Sequence, residues 1–79
     1  MPDYAVRLTR HQDGLTTASF PDVPEALAHG RDDDEALEGA SIALEAALRR
    51  RILNGQDIPE PRASGLLTIH QDVLAAVLA

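Results

Sequence analysis

The sequence predicts a small α+β domain in the order β-β-β-α-β, with a four-stranded sheet, one long helix on one face of it, and a short helical stub at the C-terminus. Near the N-terminus, apolar and polar residues alternate as they do in a half-buried strand; from residue 33 onward, apolar residues recur every three to four positions, as they do in a helix. The chain has 79 residues, enough for one hydrophobic core. A domain of this size buries only about 60% of its unfolded surface, so we expect a partner or a second copy to add stability.

Two strands and a tight turn are predicted at the N-terminus. Residues 4–10, YAVRLTR, alternate with the period of a strand. Asp13 and Gly14 form a dipeptide that favours a hairpin turn, because glycine accepts positive φ. Residues 15–20, LTTASF, contain residues that favour strands, and they predict the returning strand.

A proline-containing stretch follows the hairpin, SFPDVPEAL at 19–27. Pro21 and Pro24 lack the backbone N–H that a sheet ladder needs, so they are predicted to end the second strand and form a rigid turn. Asp22 favours the same turn, because its carboxylate bonds the backbone two residues further on. Residues 26–30, ALAHG, predict a third strand that ends at its glycine. Phe20 is predicted to lie in the core with Tyr4 across the hairpin.

A helix of about 20 residues is predicted from residue 33. Asp32 is placed to cap its N-terminus, and Glu35 three residues later completes a capping box. The arginines at 49–51 fall in the last turns, where the helix dipole favours cations. Asn54 and Gly55 form a C-terminal stop signal. The predicted buried face contains Leu37, Ala40, Leu44, Leu48 and Ile52.

The rest of the chain is predicted to contain a connector, a strand and a tail. Residues 56–64 are polar and contain prolines, and 65–69, GLLTI, predict a fourth strand. The connection to it through the helix is expected to be a right-handed crossover. Residues 1–70 are therefore predicted to be one domain, and 71–79 a tail in which a further domain would start.

Composition narrows the range of functions. The chain has no cysteine, which excludes a disulfide framework and is consistent with a cytoplasmic location, and it has no lysine, which excludes a P-loop. No apolar run is long enough to span a membrane, and no signal peptide is recognisable. The formal charge of −6 opposes binding to nucleic acid and favours a basic protein partner.

The sequence shows no pattern typical of an enzyme. Two-metal ribonuclease chemistry needs several converging carboxylates, and the predicted strands contain no aspartate or glutamate. His11, His29 and His70 lack the spacing of metal ligands and are interpreted as surface residues. Ser19 and Ser41 lack the glycine pattern that surrounds a nucleophilic serine. We therefore predict no catalytic residue, no cofactor and no metal site.

Several of these stretches together resemble the HicB antitoxins of bacterial toxin–antitoxin pairs. The resemblance covers residues 4–64, and the turn residues and the start of the helix fall at the offsets typical of that family. The matching features are the strand that starts at Tyr4, Asp13-Gly14, SFPDVPEAL at 19–27, Gly30, DEAL at 34–37, ALEAAL at 43–48 and DIPEP at 57–61.

The resemblance implies a partial ribonuclease-H-like fold that binds a HicA-type toxin, a small basic mRNA-cleaving ribonuclease, and covers its active and RNA-binding surface. Members of the family usually have a C-terminal DNA-binding domain that represses their own operon. Glu25 stands where the commonest form has glycine, as in the variant with a helix-turn-helix domain. Residues 71–79 are too few to form such a domain, so DNA binding is expected only through residues outside this chain.

The resemblance and the charge suggest which residues meet the partner. The expected partner-binding residues are Asp22, Pro24, Glu25, Asp33 and Asp34. The residues expected to maintain the motif's structure are Gly14, Phe20, Pro21, Gly30, Asp32 and Glu35. A homo-oligomer is also expected, through an outer strand or the apolar tail 73–78. Two alternatives remain: a dimerisation or sensing domain of a transcriptional autorepressor, and a scaffold with no toxin partner.

Overall fold

The computed structural model describes residues 3–63 and 67–70, with side chains for residues 4–63. The predicted C-terminal stub at 71–79 lies outside the described residues. The elements are β1 (Asp3–Arg10), β2 (Thr16–Ser19), β3 (Leu27–Gly30), α1 (Asp33–Leu53) and β4 (Leu67–His70). An antiparallel sheet with a helix confirms the predicted α+β class. In the part of the chain that the structure describes, no helix is both long and apolar enough to cross a bilayer.

The strands lie in the order β3-β2-β1-β4, and each is antiparallel to its neighbour. Thr17 is paired with Thr9 of β1 and with His29 of β3, so these three residues form one row across the sheet. Since β4 is antiparallel to β1 and β1 runs parallel to β3, β3 and β4 run in opposite directions. The connection through α1 is therefore not a crossover between parallel strands, so the expectation of a right-handed crossover was based on a rule that does not apply here.

The hydrophobic core lies between α1 and one face of the sheet. Tyr4 and Phe20 are both buried there, as predicted, although the register pairs Tyr4 with Ile69 of β4 and not with Phe20. The helix contributes Leu44 and Leu48 together with small residues that let it approach the sheet closely. The cluster of buried residues contains Tyr4, Val6, Ala18, Phe20, Val23, Ala26, Ala28, Ala36, Ala40, Leu44, Ala47 and Leu48.

Both ends of α1 are capped by local contacts. The Asp32 carboxylate accepts a hydrogen bond from the backbone N–H of Glu35 at 2.8 Å. The Glu35 carboxylate accepts from the N–H of Arg31 at 3.2 Å, one residue before the N–H used in the standard capping box. At the other end Gly55 has φ of 72° and donates to the carbonyl of Ile52. The turn that starts the helix is thus held by two carboxylates.

The hairpin turn between β1 and β2 also depends on its aspartate and glycine. Gly14 has φ of 89°, and the Asp13 carboxylate accepts from the N–H of Leu15 at 3.0 Å. The strands differ from prediction by a residue or two at their ends. In particular β1 begins at Asp3, so one acidic residue does lie in a strand.

Candidate functional site

The turn at residues 20–26 is two consecutive hydrogen-bonded turns with a buried residue between the prolines. Val23 donates its N–H to the carbonyl of Phe20, and Ala26 donates to the carbonyl of Val23. Val23 is buried, while Pro21 and Pro24 are exposed. The prolines therefore make a rigid outward surface, and the buried Val23 between them anchors this turn to the core.

Asp22 fixes the connector that follows the helix. Its carboxylate accepts hydrogen bonds from the backbone N–H groups of Arg62 and Ala63, at 3.0 and 2.9 Å. Nearby, the Tyr4 hydroxyl donates to the carbonyl of Pro59 at 2.6 Å. Burial raises the pKa of the Tyr4 hydroxyl, and the Asp22 carboxylate raises it further. Asp22 thus holds residues 62 and 63 against the turn, and Tyr4 holds residue 59 against the first strand.

Glu25 makes a bidentate ion pair with Arg51 in the last turn of α1. The hydrogen bond from the guanidinium lowers the pKa of the Glu25 carboxyl, and the same bond raises the pKa of Arg51. Arg51 also reaches the carbonyl of Asp57 at 3.5 Å. This arginine therefore connects the proline turn, the helix end and the connector.

Replacing Glu25 with glutamine tests this connection through its pH dependence. Because the carboxyl pKa is lowered by folding, its contribution is present above the unfolded pKa of about 4.3 and is lost as pH falls through the folded value. Glu25→Gln is therefore expected to reduce the free energy of unfolding by about 0.5–1 kcal/mol at pH 7, since both side chains are partly exposed. The difference from the unsubstituted chain should shrink below about pH 4. Urea unfolding across this range measures it.

The control for that experiment is Glu60→Gln, which removes the same charge from an exposed side chain 4.0 Å from Arg62. It should leave stability within about 0.3 kcal/mol of the unsubstituted chain at pH 7. A Glu25→Gln effect that is the same at pH 3 and pH 7 would contradict the proposed origin of the pH dependence.

The acids at the start of α1 differ in what they contact. Asp33 pairs with the guanidinium of Arg10 and accepts a hydrogen bond from the buried Thr16 hydroxyl at 3.3 Å. Asp34 is exposed, and one turn further along Glu38 is exposed as well. Of the residues that the structure describes, none forms an ion pair with either of these two side chains. An open depression of about 540 Å³ lies beside this end of the helix, lined by Arg10, Gly14, Thr16, Arg31, Asp32, Asp33 and Asp34.

The five predicted partner-binding residues fall into two groups. Asp22, Pro24 and Glu25 lie in the turn that contacts the C-terminal end of α1, whereas Asp33 and Asp34 lie in its first turn. A helix of 21 residues is about 30 Å long. The structure therefore brings each group together, and it separates the two groups by roughly the length of the helix. Beside the first group is a smaller groove of about 250 Å³, lined by Glu25, Ala43, Ala46, Ala47, Arg50, Arg51 and Gln56.

Sequence analysis did not propose a functional role for the face of the sheet opposite α1. There the Thr17 hydroxyl lies 2.7 Å from Nε2 of His11 and 3.1 Å from Nδ1 of His29. Leu27 on the same face is half exposed. Leu27 and His29 are two residues apart in β3, so they lie on the same face of the sheet. This spacing could have predicted the exposed surface from the sequence. Within the described residues, no group of three or more histidine, aspartate or glutamate side chains is placed to hold a metal ion.

The structure resembles that of an antitoxin domain. It superimposes on the crystal structure of the N-terminal domain of Burkholderia pseudomallei antitoxin HicB with a TM-score of 0.69, covering 78% of this chain and 73% of that chain. The sequence identity is 16%, so this likeness shows the fold alone. No family model matches the chain.

A sequence comparison finds a relative with a higher identity. The chain is 40% identical over 62 residues to Antitoxin HicB 1 of Photorhabdus laumondii subsp. laumondii. The match covers 78% of this chain and 40% of that protein, so the chain spans less than half the length of its curated relative. The two comparisons confirm the similarity to HicB-type antitoxins that the turn motif indicated.

Proposed function

We propose that residues 1–70 form the toxin-binding domain of a HicB-type antitoxin. In this proposal the domain binds a HicA-type mRNA-cleaving ribonuclease and covers its active and RNA-binding surface. The observation that carries the proposal is the 40% identity to Antitoxin HicB 1 over 62 residues. The sheet and helix would then be the partial ribonuclease-H-like fold that the resemblance implies.

The charge distribution supports a basic partner. The chain has 13 acidic and seven basic residues, and opposite charge accelerates association in a salt-dependent way. Asp22, Glu25 and Asp33 already have partners within the chain, so any contact they make with a toxin is shared with those partners. Asp34 and Pro24 are exposed and are the more available of the five proposed contact residues.

Several further properties belong to the same proposal. The domain has no catalytic activity of its own, works in the cytoplasm and forms a homo-oligomer. Residues 71–79 begin a C-terminal DNA-binding domain in the parent protein. The alternative proposal is that this domain is the dimerisation or sensing part of a transcriptional autorepressor; the relative is longer than the aligned residues, which leaves room for a further domain in such a parent.

Growth rescue tests the antitoxin function. A small basic ribonuclease encoded next to this chain is expressed in bacteria with and without it, and the chain is expected to restore growth. Asp34→Arg should weaken capture of the toxin about tenfold, because it replaces attraction with repulsion at an exposed site. Surface plasmon resonance at several salt concentrations gives the association rate.

Glu60→Arg is the control, since it makes the same charge change in an exposed loop residue. Growth arrest that persists although the chain is folded and abundant would overturn the antitoxin function. If Asp34→Arg and Glu60→Arg reduce capture equally, the change in net charge alone explains the loss, and the proposal that Asp34 contacts the toxin is wrong.

A further inference from the structure

The outward face of α1 carries apolar residues as well as charges. Ile42 and Leu53 are both 71% exposed, the highest values among the exposed large hydrophobic side chains of the described residues. A single row of exposed residues runs along this face through Ile42, and we name it the outer stripe. The outer stripe consists of Glu38, Ile42, Ala46 and Arg49, which are spaced by four, four and three residues.

The outer stripe is complementary to itself when it is reversed. Its N-terminal end is acidic at Glu38 and its C-terminal end is basic at Arg49. Its middle contains one large side chain, Ile42, and one small one, Ala46. An antiparallel copy therefore places Glu38 opposite Arg49, and Ile42 opposite Ala46. Large against small is the arrangement by which helix surfaces interlock.

We propose that the outer stripe binds a second copy of this chain, with the two α1 helices antiparallel around a two-fold axis between Ile42 and Ala46. Such an interface is closed, because both copies use the same surface and no unpaired stripe is left. The ends of the helix add to the attraction. The first turn contains three acids and the last turn two arginines, so antiparallel helices bring opposite charges together.

Charge favours a second copy over a basic partner on this face. A basic protein would complement Glu38 but would face repulsion from Arg49 and from the arginines that follow it. No ion pair to Glu38 is present in the part of the chain described, whereas Arg49 pairs with Glu45 one turn earlier and has further donors. The proposal takes the homo-oligomer of the proposed function as its starting point and places its contact on α1, where sequence analysis expected an outer strand or the tail.

The test exchanges the two charges between copies. Sedimentation velocity over a concentration series should show a monomer–dimer equilibrium for the unsubstituted chain. Glu38→Arg and Arg49→Glu should each raise the dissociation constant at least about tenfold, because each places two like-charge pairs in the interface. An equimolar mixture of the two variants should dimerise again, since the introduced arginine of one copy then faces the introduced glutamate of the other.

Two controls keep the test specific. Glu60→Arg makes the same charge change away from α1 and should leave the equilibrium unchanged. Ile42→Ser should weaken the dimer without changing the net charge. Circular dichroism checks that every variant is folded. If a charge variant does not fold, the effect of Ile42→Ser on the dimer decides the test.

Some outcomes would overturn the proposal. These are a chain that stays monomeric throughout, a dimer that neither the charge variants nor Ile42→Ser weaken, or a mixture of folded charge variants that does not recover. If Ile42→Ser abolishes toxin capture while the chain remains monomeric, the outer stripe binds the toxin and the second copy is excluded. No toxin is present in the sedimentation experiment, so its failure is distinct from a failure of the antitoxin function.

Discussion

Replacing Gly30 with alanine is expected to remove more than half of the protein's free energy of unfolding. A Cβ atom at this position would lie 2.4 Å from the backbone nitrogen of Ala36 and 2.8 Å from the carbonyl carbon of Glu35. Both atoms are backbone in the first turns of α1, so β3 and the helix would have to move apart. Overpacking of this kind costs about 3 kcal/mol, and small domains have only about 5 kcal/mol in total.

Urea unfolding followed by circular dichroism measures this effect, with Gly14→Ala as the control. Gly14 has positive φ, but a Cβ there would meet no atom within 4 Å. Its replacement should therefore cost about 1–2 kcal/mol, from backbone strain alone. A Gly30→Ala chain as stable as the unsubstituted one would show that α1 does not approach β3 as closely as described.

Replacing Leu44 with alanine is expected to lower the free energy of unfolding by about 3 kcal/mol. The side chain is 0% exposed and belongs to the core cluster between α1 and the sheet. Truncating a buried leucine removes apolar contacts and leaves a cavity, and the two effects together cost 2–5 kcal/mol in other proteins, or about 3 kcal/mol as a central value. Thermal and urea unfolding at one fixed protein concentration give the difference.

Leu15→Ala provides the matched comparison, because the same substitution is made where the side chain is 41% exposed. We expect a loss below about 1 kcal/mol at this position. Equal losses for the two variants would mean that α1 does not bury Leu44 and that the core is elsewhere.

The elements that sequence analysis predicted well are those set by neighbours in the chain. Asp32 is three residues from the N–H that it caps, and Gly14 lies within the turn that needs its positive φ. The period of apolar residues identified the buried face of α1, including Leu44 and Leu48. Such features depend on local geometry, so a short window of sequence contains the information for them.

The contacts that sequence analysis missed join distant residues. Glu25 and Arg51 are 26 positions apart, and Asp22 is 40 positions from the N–H of Arg62. No spacing rule connects such pairs, because the fold alone brings them together. For this reason Asp22 and Asp33, which were predicted to be available for a partner, already have partners within the chain. Sequence analysis did not identify the exposed Ile42, because it used the period of apolar residues only to find the buried face of α1. Ile42 lies on the opposite face.

The hydrogen bond between Tyr4 and Pro59 gives the protein its own optical probe. The chain has one tyrosine and no tryptophan, so its near-ultraviolet absorbance and fluorescence arise almost entirely from this buried ring. Ionisation of the phenol is opposed by burial and by the neighbouring carboxylate of Asp22. A spectrophotometric titration at alkaline pH therefore reports whether the connector covers the first strand, without any added label.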